Sequence, residues 1–156
     1  MSEAARNLLS SHAFLAGFPP AAIALVAEHA DTATFRPGVL LFREGSPADV
    51  TYFITKGCVS IEVHVPNRGP MVVETLRPGQ VVGLSWAAPP FRYQFDARAV
   101  DEVEVVSVDT ARLRVALAEN PVVGFLLLDR LTAVILERLQ ATRIRLLDIY
   151  GKSYVH

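Results

Sequence analysis

Cysteine is almost missing from this chain. Cys58 stands alone among 156 residues, which excludes an intramolecular disulfide and a thiolate metal cluster and suits a reducing cytoplasm. Cys58 itself reads as a small apolar core residue. A surplus of charge is missing too: 15 basic residues against 16 acidic ones leave a net charge of −1, so no overall field holds a nucleic-acid backbone or an anionic membrane. Long apolar runs are also lacking. The longest uncharged one, Pro121 to Leu128, is far short of the roughly 20 residues needed to cross a bilayer. The first six residues include Glu3 and Arg6 and lead into no signal-type segment. The expectation is a soluble, cytoplasmic protein with neither a membrane nor direct nucleic acid among its partners.

Apolar residues are plentiful. They make up 51% of the chain, enough for one hydrophobic core, so a single domain over residues 1–156 is expected. Three regions of different period follow one another. Residues 1–30 read as N-terminal helices, one near Glu3 to Ser10 and one opening at Pro19-Pro20, where proline suits a first turn. Residues 31–109 read as β-structure, with short apolar or alternating runs cut by Pro37-Gly38, Gly45, Gly57, Gly69, Pro78-Gly79 and Gly83. Val59, Ile61, Val63 and Val65 are expected to face one way, and Ser60, Glu62 and His64 the other. A hairpin through Pro66-Asn67-Arg68-Gly69 returns this strand as Met71 to Leu76.

Residues 110–150 read as C-terminal helices, capped by Asp109 and broken at Asn120-Pro121. Along the last helix Leu128, Thr132, Ile135, Leu139, Thr142, Leu146 and Ile149 recur at alternating spacings of four and three, the seam of a coiled coil. Phe125, Leu131 and Val134 form a second stripe, expected to pack on the domain's own sheet. One stripe facing home and one facing outward predicts a homodimer through the C-terminal helix.

Three linked segments carry a resemblance: Phe35 to Gly45 with its Pro37-Gly38 turn, Leu41 and Glu44-Gly45; Tyr52 to Val59 with Phe53-Ile54 and Gly57; and Leu76 to Gly83 with Pro78-Gly79 and Gly83. In order and spacing they resemble the cyclic-nucleotide-binding domains of catabolite-activator-type transcription factors, kinase regulatory subunits and gated channels. The resemblance covers nearly the whole chain. It implies a mainly β fold with flanking helices, a double-stranded β-helix of jelly-roll or β-roll type closed by a long C-terminal helix.

The resemblance also places a ligand site. In the family a phosphate-binding cassette follows the last of these glycines, with a glutamate for the ribose hydroxyl, an arginine for the cyclic phosphate, and backbone N–H groups completing the anion site. The corresponding residues here are Val82, Gly83, Leu84, Ser85, Trp86, Arg92, Tyr93 and Gln94, with Thr142 carried over from the last helix as a contact to the ligand's base. Leu84 stands at the glutamate position and Tyr93 falls near the arginine position, with Arg92 one residue from it. Arg92 and Arg98 read as solvated surface charges, or Arg92, with a one-residue loop change, as an anion-binding group. Leucine offers no acceptor and tyrosine no charged fork, so the cassette reads as degenerate and binding of cyclic AMP or GMP is not expected at usual strength. Pro89 and Pro90 keep any cassette helix from Ser85 short, and strand alternation puts Arg92, Gln94 and Asp96 on one face, Tyr93 and Phe95 on the other. Leu84, Trp86, Tyr93 and Phe95 would line an unusually aromatic pocket, suited to a flat or apolar ligand or filled as core.

The function this implies is a stand-alone ligand-sensing regulatory domain that signals through its dimer or partner surface, with no catalytic residues. No cofactor is expected beyond a cyclic nucleotide or other small ligand, and the protein partner is not identifiable. Only six residues follow Tyr150, so the winged helix of the transcription-factor branch is not expected. One alternative is a ligand-free dimerisation or scaffold module. Another is a cupin-type metalloenzyme, a small double-sheet barrel that needs a close histidine pair; His12, His29, His64 and His156 are widely scattered, and Glu62, His64 and Glu74 read as a hydrated outer face. No metal site is expected.

Overall fold

The computed structural model describes residues 2–153, so His156 and its two preceding residues lie outside the described residues. Contacts divide the chain into two compact units, one ending at Asn120 and the other beginning at Pro121.

The first unit opens with α1 (Glu3–Ser10), whose first turn is capped by the Ser2 hydroxyl accepting the N–H of Ala5 at 3.1 Å. After a short 3-10 turn (Ala13–Leu15), Pro20 starts α2 (Pro20–Ala27), where its missing N–H has no helical partner to lose. Eight antiparallel strands follow: β1 (Ala30–Phe35), β2 (Leu40–Phe42), β3 (Val50–Lys56), β4 (Val59–Val65), β5 (Gly69–Leu76), β6 (Val81–Val82), β7 (Asp96–Ala99) and β8 (Val103–Asp109). They form two four-stranded sheets in the orders β1-β8-β3-β6 and β2-β7-β4-β5. Valines and leucines from both fill the space between, with Ile54, Val59, Leu76, Val82, Val105 and Val106 fully buried. Each such side chain contributes about 1.5–3 kcal/mol by leaving water. The expected mainly β roll with flanking helices is the observed fold.

Two turns require glycine. Gly57, at φ +81 between β3 and β4, is so close to the Glu102 carbonyl and the Asp101 carboxylate that a β-carbon would collide with both. Gly83, at φ +91 after β6, would press a β-carbon against the Val50 carbonyl at 3.2 Å and the rings of Phe42 and Tyr93 at 3.3 Å.

The β4 expectations need correction. Glu62 is not hydrated: it is only 5% exposed, accepts the Ser60 hydroxyl at 2.8 Å and meets Arg98 Nε at 3.1 Å. Arg98 lies on the neighbouring β7 and folds over the carboxylate while its Nη1 donates to the Gly38 carbonyl at 2.8 Å. Val63, expected inward, is 38% exposed, because the ladder slips between Ile61 and Glu62 and the alternation loses its register there. Cys58 is half-buried at the β3–β4 turn rather than in the core, its N–H donating to Asp101 Oδ1 at 2.7 Å.

Asp109 caps α3 (Thr110–Glu119) through a 3.1 Å bond from the N–H of Arg112. The second unit is α4 (Pro121–Ser153), 33 residues long. Its seam is open: Leu128, Ile135, Leu139, Leu146 and Ile149 are 44–62% exposed. Phe125, placed in the homeward stripe, is 70% exposed and belongs to no buried stripe. Among the described residues no helix is long and apolar enough to cross a membrane, and no three of His, Cys, Asp and Glu are placed to hold a metal ion.

Candidate functional site

The cassette segment starts where β6 ends. Val81 and Val82 pair with Phe53 and Tyr52, and the Val82 carbonyl accepts the Thr51 hydroxyl at 3.3 Å, so the strand is held against β3 up to Gly83. Leu84 then opens a single 3-10 turn, Ser85–Ala87, with no side-chain cap. The turn is as short as Pro89-Pro90 predicts. Leu84 and Ser85 are half-buried, and Trp86 is 3% exposed with its indole N–H unbonded.

From Phe91 onward the segment is zipped to the loop between β2 and β3. Ala48 N–H donates to the Phe91 carbonyl at 2.8 Å, Tyr93 N–H to the Ser46 carbonyl at 3.0 Å, and Gly45 N–H to the Tyr93 carbonyl at 2.8 Å. Phe91 takes φ +57, and the Arg114 guanidinium lies 3.7 Å over its ring. This stretch is not regular strand, since β7 begins only at Asp96, yet the expected sidedness of Arg92, Tyr93 and Gln94 holds. Arg92 and Gln94 are exposed and Tyr93 is buried.

Tyr93 is the centre of the site. Its ring stacks on Phe42 with centroids 3.7 Å apart and planes 9° from parallel. Phe95 leans on the same Phe42 at 5.7 Å, and Tyr52 lies beyond it at 6.3 Å. The Tyr93 hydroxyl donates to the Val50 carbonyl at 2.5 Å and accepts the Val50 N–H at 3.2 Å. Burial pushes its pKa up to about 12, the Val50 bond pulls it partly back, and the charges of Tyr52 and Asp49 add to the rise. The phenol is therefore a neutral donor across the physiological range.

Neither nearby arginine supplies the missing charge. Arg92 Nη1 donates to the Gly45 carbonyl at 2.7 Å, and Arg98 is held by Glu62 and Gly38. Gln94 Nε2 bonds the Arg92 carbonyl at 2.9 Å. Of the residues expected to hold a ligand, the structure thus brings Val82, Gly83 and Tyr93 together. It leaves Arg92 and Gln94 on the outside. Thr142 belongs to the second unit, where it is exposed and its hydroxyl donates to the Arg138 carbonyl at 2.9 Å.

Phe42 and Val50 were not expected in the site. Phe42 falls inside the first of the three motif segments, where it reads as an ordinary strand aromatic. Only its distance from Tyr93 in the fold reveals the stack. Val50 acts through its peptide group, for which side-chain identity carries no signal.

The chemistry available is that of a packed aromatic cluster with one neutral hydroxyl. It offers flat apolar contact, and the neighbouring Arg92 and Arg98 are both engaged by other groups. Comparison with known proteins identifies the fold that carries these residues. A model of the cyclic nucleotide-binding domain matches residues 32–120, more than half of the chain. The CRP-like cAMP-activated global transcriptional regulator of Mycobacterium tuberculosis is 28% identical over 143 residues, covering 92% of this chain and 62% of the regulator. The chain therefore spans less than two thirds of that relative. Among solved structures, a putative cyclic nucleotide-binding protein from Geobacter metallireducens is 27% identical with a TM-score of 0.77, covering 89% of this chain and 99% of that one. A cyclic nucleotide-binding domain from Methylobacillus flagellatus shares the fold with a TM-score of 0.78 at 18% identity, covering 94% and 82% of the two chains.

Proposed function

Because the chain belongs to the cyclic nucleotide-binding domain family, we propose that it is a regulatory sensor domain whose cassette has changed from gripping a cyclic phosphate to holding an aromatic slot closed. The observation that carries this reading is the Tyr93 ring, stacked at 3.7 Å on Phe42 with its hydroxyl fixed to Val50, near the position where the family resemblance expects an arginine. A charged hydrogen bond contributes about 1.5–3 kcal/mol, so each lost anchor lowers affinity roughly ten- to a hundredfold. With Leu84 in place of the ribose-binding glutamate, two anchors are gone. Cyclic AMP and GMP are then weak ligands, and a flat uncharged heteroaromatic that replaces Tyr93 on Phe42 is the better occupant.

Output runs through α4, whose exposed seam at Leu128, Ile135, Leu139, Leu146 and Ile149 suits a second copy of the chain. A ligand acts on such an output only by binding one arrangement of the domain better than another. The filled slot also favours a second reading, a ligand-free dimerisation module that keeps the fold alone.

A thermal-shift panel tests these readings. Cyclic mono- and dinucleotides leave the wild-type melting temperature unchanged, and the double variant Leu84→Glu, Tyr93→Arg gains an upward shift with cyclic AMP. A clear wild-type shift at micromolar cyclic nucleotide would overturn the altered-cassette reading. Flat heteroaromatics in the same panel decide between the two: an upward shift supports sensing, and no response supports the scaffold.

A further inference from the structure

The exposed apolar residues of α4 do not all lie in its seam. Phe125, Leu136 and Leu147 follow one another at intervals of eleven residues, and Val122, Ala133 and Ile144 do the same three positions earlier. Eleven residues make three helical turns and roughly 20° more, so the two rows run side by side along the helix. At about 100° per residue this stripe lies opposite Leu127 and Leu131, both buried, and roughly a quarter turn from the seam. Phe125 is 70% exposed, Leu136 59% and Leu147 69%. A two-stranded seam leaves all three in water.

The stripe carries a charge pattern as well. Asp129 lies seven residues before Leu136 and Arg143 seven residues after it, on the same face. Both are exposed, and neither side chain has an ion-pair or hydrogen-bond partner among the described residues. Inverting the helix about Leu136 exchanges the acid with the base. The same inversion exchanges Phe125 with Leu147, and Val122 with Tyr150. The face is therefore complementary to itself on a second copy running the opposite way, as a two-fold contact requires. Its size suits such a partner. Val122, Phe125, Leu136, Ile144, Leu147 and Tyr150 are 50–75% exposed. At roughly 150–200 Å² for each when fully exposed, they supply about 700 Å², near the roughly 800 Å² per partner of a standard interface.

We propose that this stripe holds the α4 helix of a second copy in antiparallel pairing, with the two Leu136 side chains meeting on the two-fold axis and each Asp129 beside the partner's Arg143. The contact is separate from the seam, which runs through Ile135 and Leu146. Used together, the two faces join four chains; used alone, the stripe makes a dimer. Nothing in the contact depends on the cassette.

The test uses the full chain with its seam disabled by Ile135→Asp and Leu146→Asp. By sedimentation at about 0.1 mM this variant is a dimer, and adding Leu136→Asp makes it a monomer. Asp129→Arg weakens the dimer at least about tenfold, because each pair of opposite charges becomes a repulsive one, and combining it with Arg143→Asp restores association. The substituted residues are exposed, so the fold is kept. Direction is read by disulfide cross-linking after Cys58→Ser removes the one native thiol. Leu136→Cys cross-links with itself. Phe125→Cys and Leu147→Cys, about 33 Å apart along the helix, do so only when the two proteins are mixed. Three results overturn the proposal: a seam variant that is already monomeric, in favour of a partner of another kind; a charge swap that fails to restore association; or Phe125→Cys or Leu147→Cys cross-linking with itself. An unchanged mass on disabling the seam counts against the seam alone, so the two contacts fail separately.

Discussion

Replacing Tyr93 by Phe removes one oxygen and leaves the stack on Phe42 in place. That oxygen is bonded to both polar ends of Val50, donating to its carbonyl at 2.5 Å and accepting its N–H at 3.2 Å. Two part-buried hydrogen bonds at about 1 kcal/mol each predict a loss of about 2 kcal/mol at neutral pH. The same hydroxyl gives the loss a pH signature. Its pKa stands at about 12 in the folded chain against 10.0 ordinarily, chiefly because burial disfavours the phenolate. A raised folded pKa means that the contribution is complete below pH 10 and is lost as pH climbs through 12, because the unfolded chain releases the proton first. Two pH units correspond to at most about 2.7 kcal/mol. Urea unfolding of wild type and Tyr93→Phe from pH 7 to pH 11.5 reads the effect as a difference, so titration of other groups cancels. The stability gap is about 2 kcal/mol at pH 7 and shrinks by a similar amount by pH 11.5. No gap at pH 7, or a gap constant up to pH 11.5, would refute the claim that the hydroxyl is locked onto Val50 away from water.

Gly57→Ala and Gly45→Ala share nearly the same positive φ, yet only the first meets the Glu102 carbonyl, so Gly45→Ala costs about 1 kcal/mol in chemical denaturation and Gly57→Ala at least about 3 kcal/mol. Equal costs would show that the crowding at Gly57 is immaterial. His12 is buried, its Nε2 donating to the Ile54 carbonyl at 2.9 Å while Nδ1 accepts the Phe14 N–H at 3.2 Å, and burial lowers its pKa despite the Ile54 bond. A lowered folded pKa puts the loss on the acid side, so the wild type weakens as pH falls below about 6.5 and His12→Gln shows a flatter profile between pH 7.5 and 5.5. Parallel profiles would count against a buried neutral imidazole. Ile135→Asp with Leu139→Asp places two charges in the α4 seam and halves the mass measured by light scattering; an unchanged mass excludes this seam as the dimer contact.

The parts of the fold that were legible in the sequence are those where backbone geometry dictates residue type. Asp109 before α3, Pro20 at the start of α2, and Gly57 and Gly83 at reversals each satisfy a local need that only a few residues meet. Glu62 was misread because its burial depends on Arg98, 36 residues away on a neighbouring strand, and on a slip in the ladder that alternation cannot foresee. Arg92 poses the same difficulty: its partner is the Gly45 carbonyl, 47 residues distant, and main-chain acceptors leave no mark in side-chain pattern. Tyr93 was recognised as a departure from the family's arginine. That it would find Phe42 and Val50 required the fold.

The way Tyr93 is held constrains what can act through the cassette. Turning the ring out of its slot gives up two hydrogen bonds and an aromatic stack, about 3 kcal/mol together. A ligand that needs the slot open binds only that minor population, which lowers its apparent affinity by roughly 150-fold. A cyclic phosphate entering there recovers little of this, since Arg92 and Arg98 are both engaged elsewhere. A planar uncharged ring recovers the Phe42 contact directly, and with a carbonyl it can take over a hydrogen bond from the Val50 N–H. Selection acting on this domain is therefore expected to favour ligands that replace Tyr93 in kind or leave it in place.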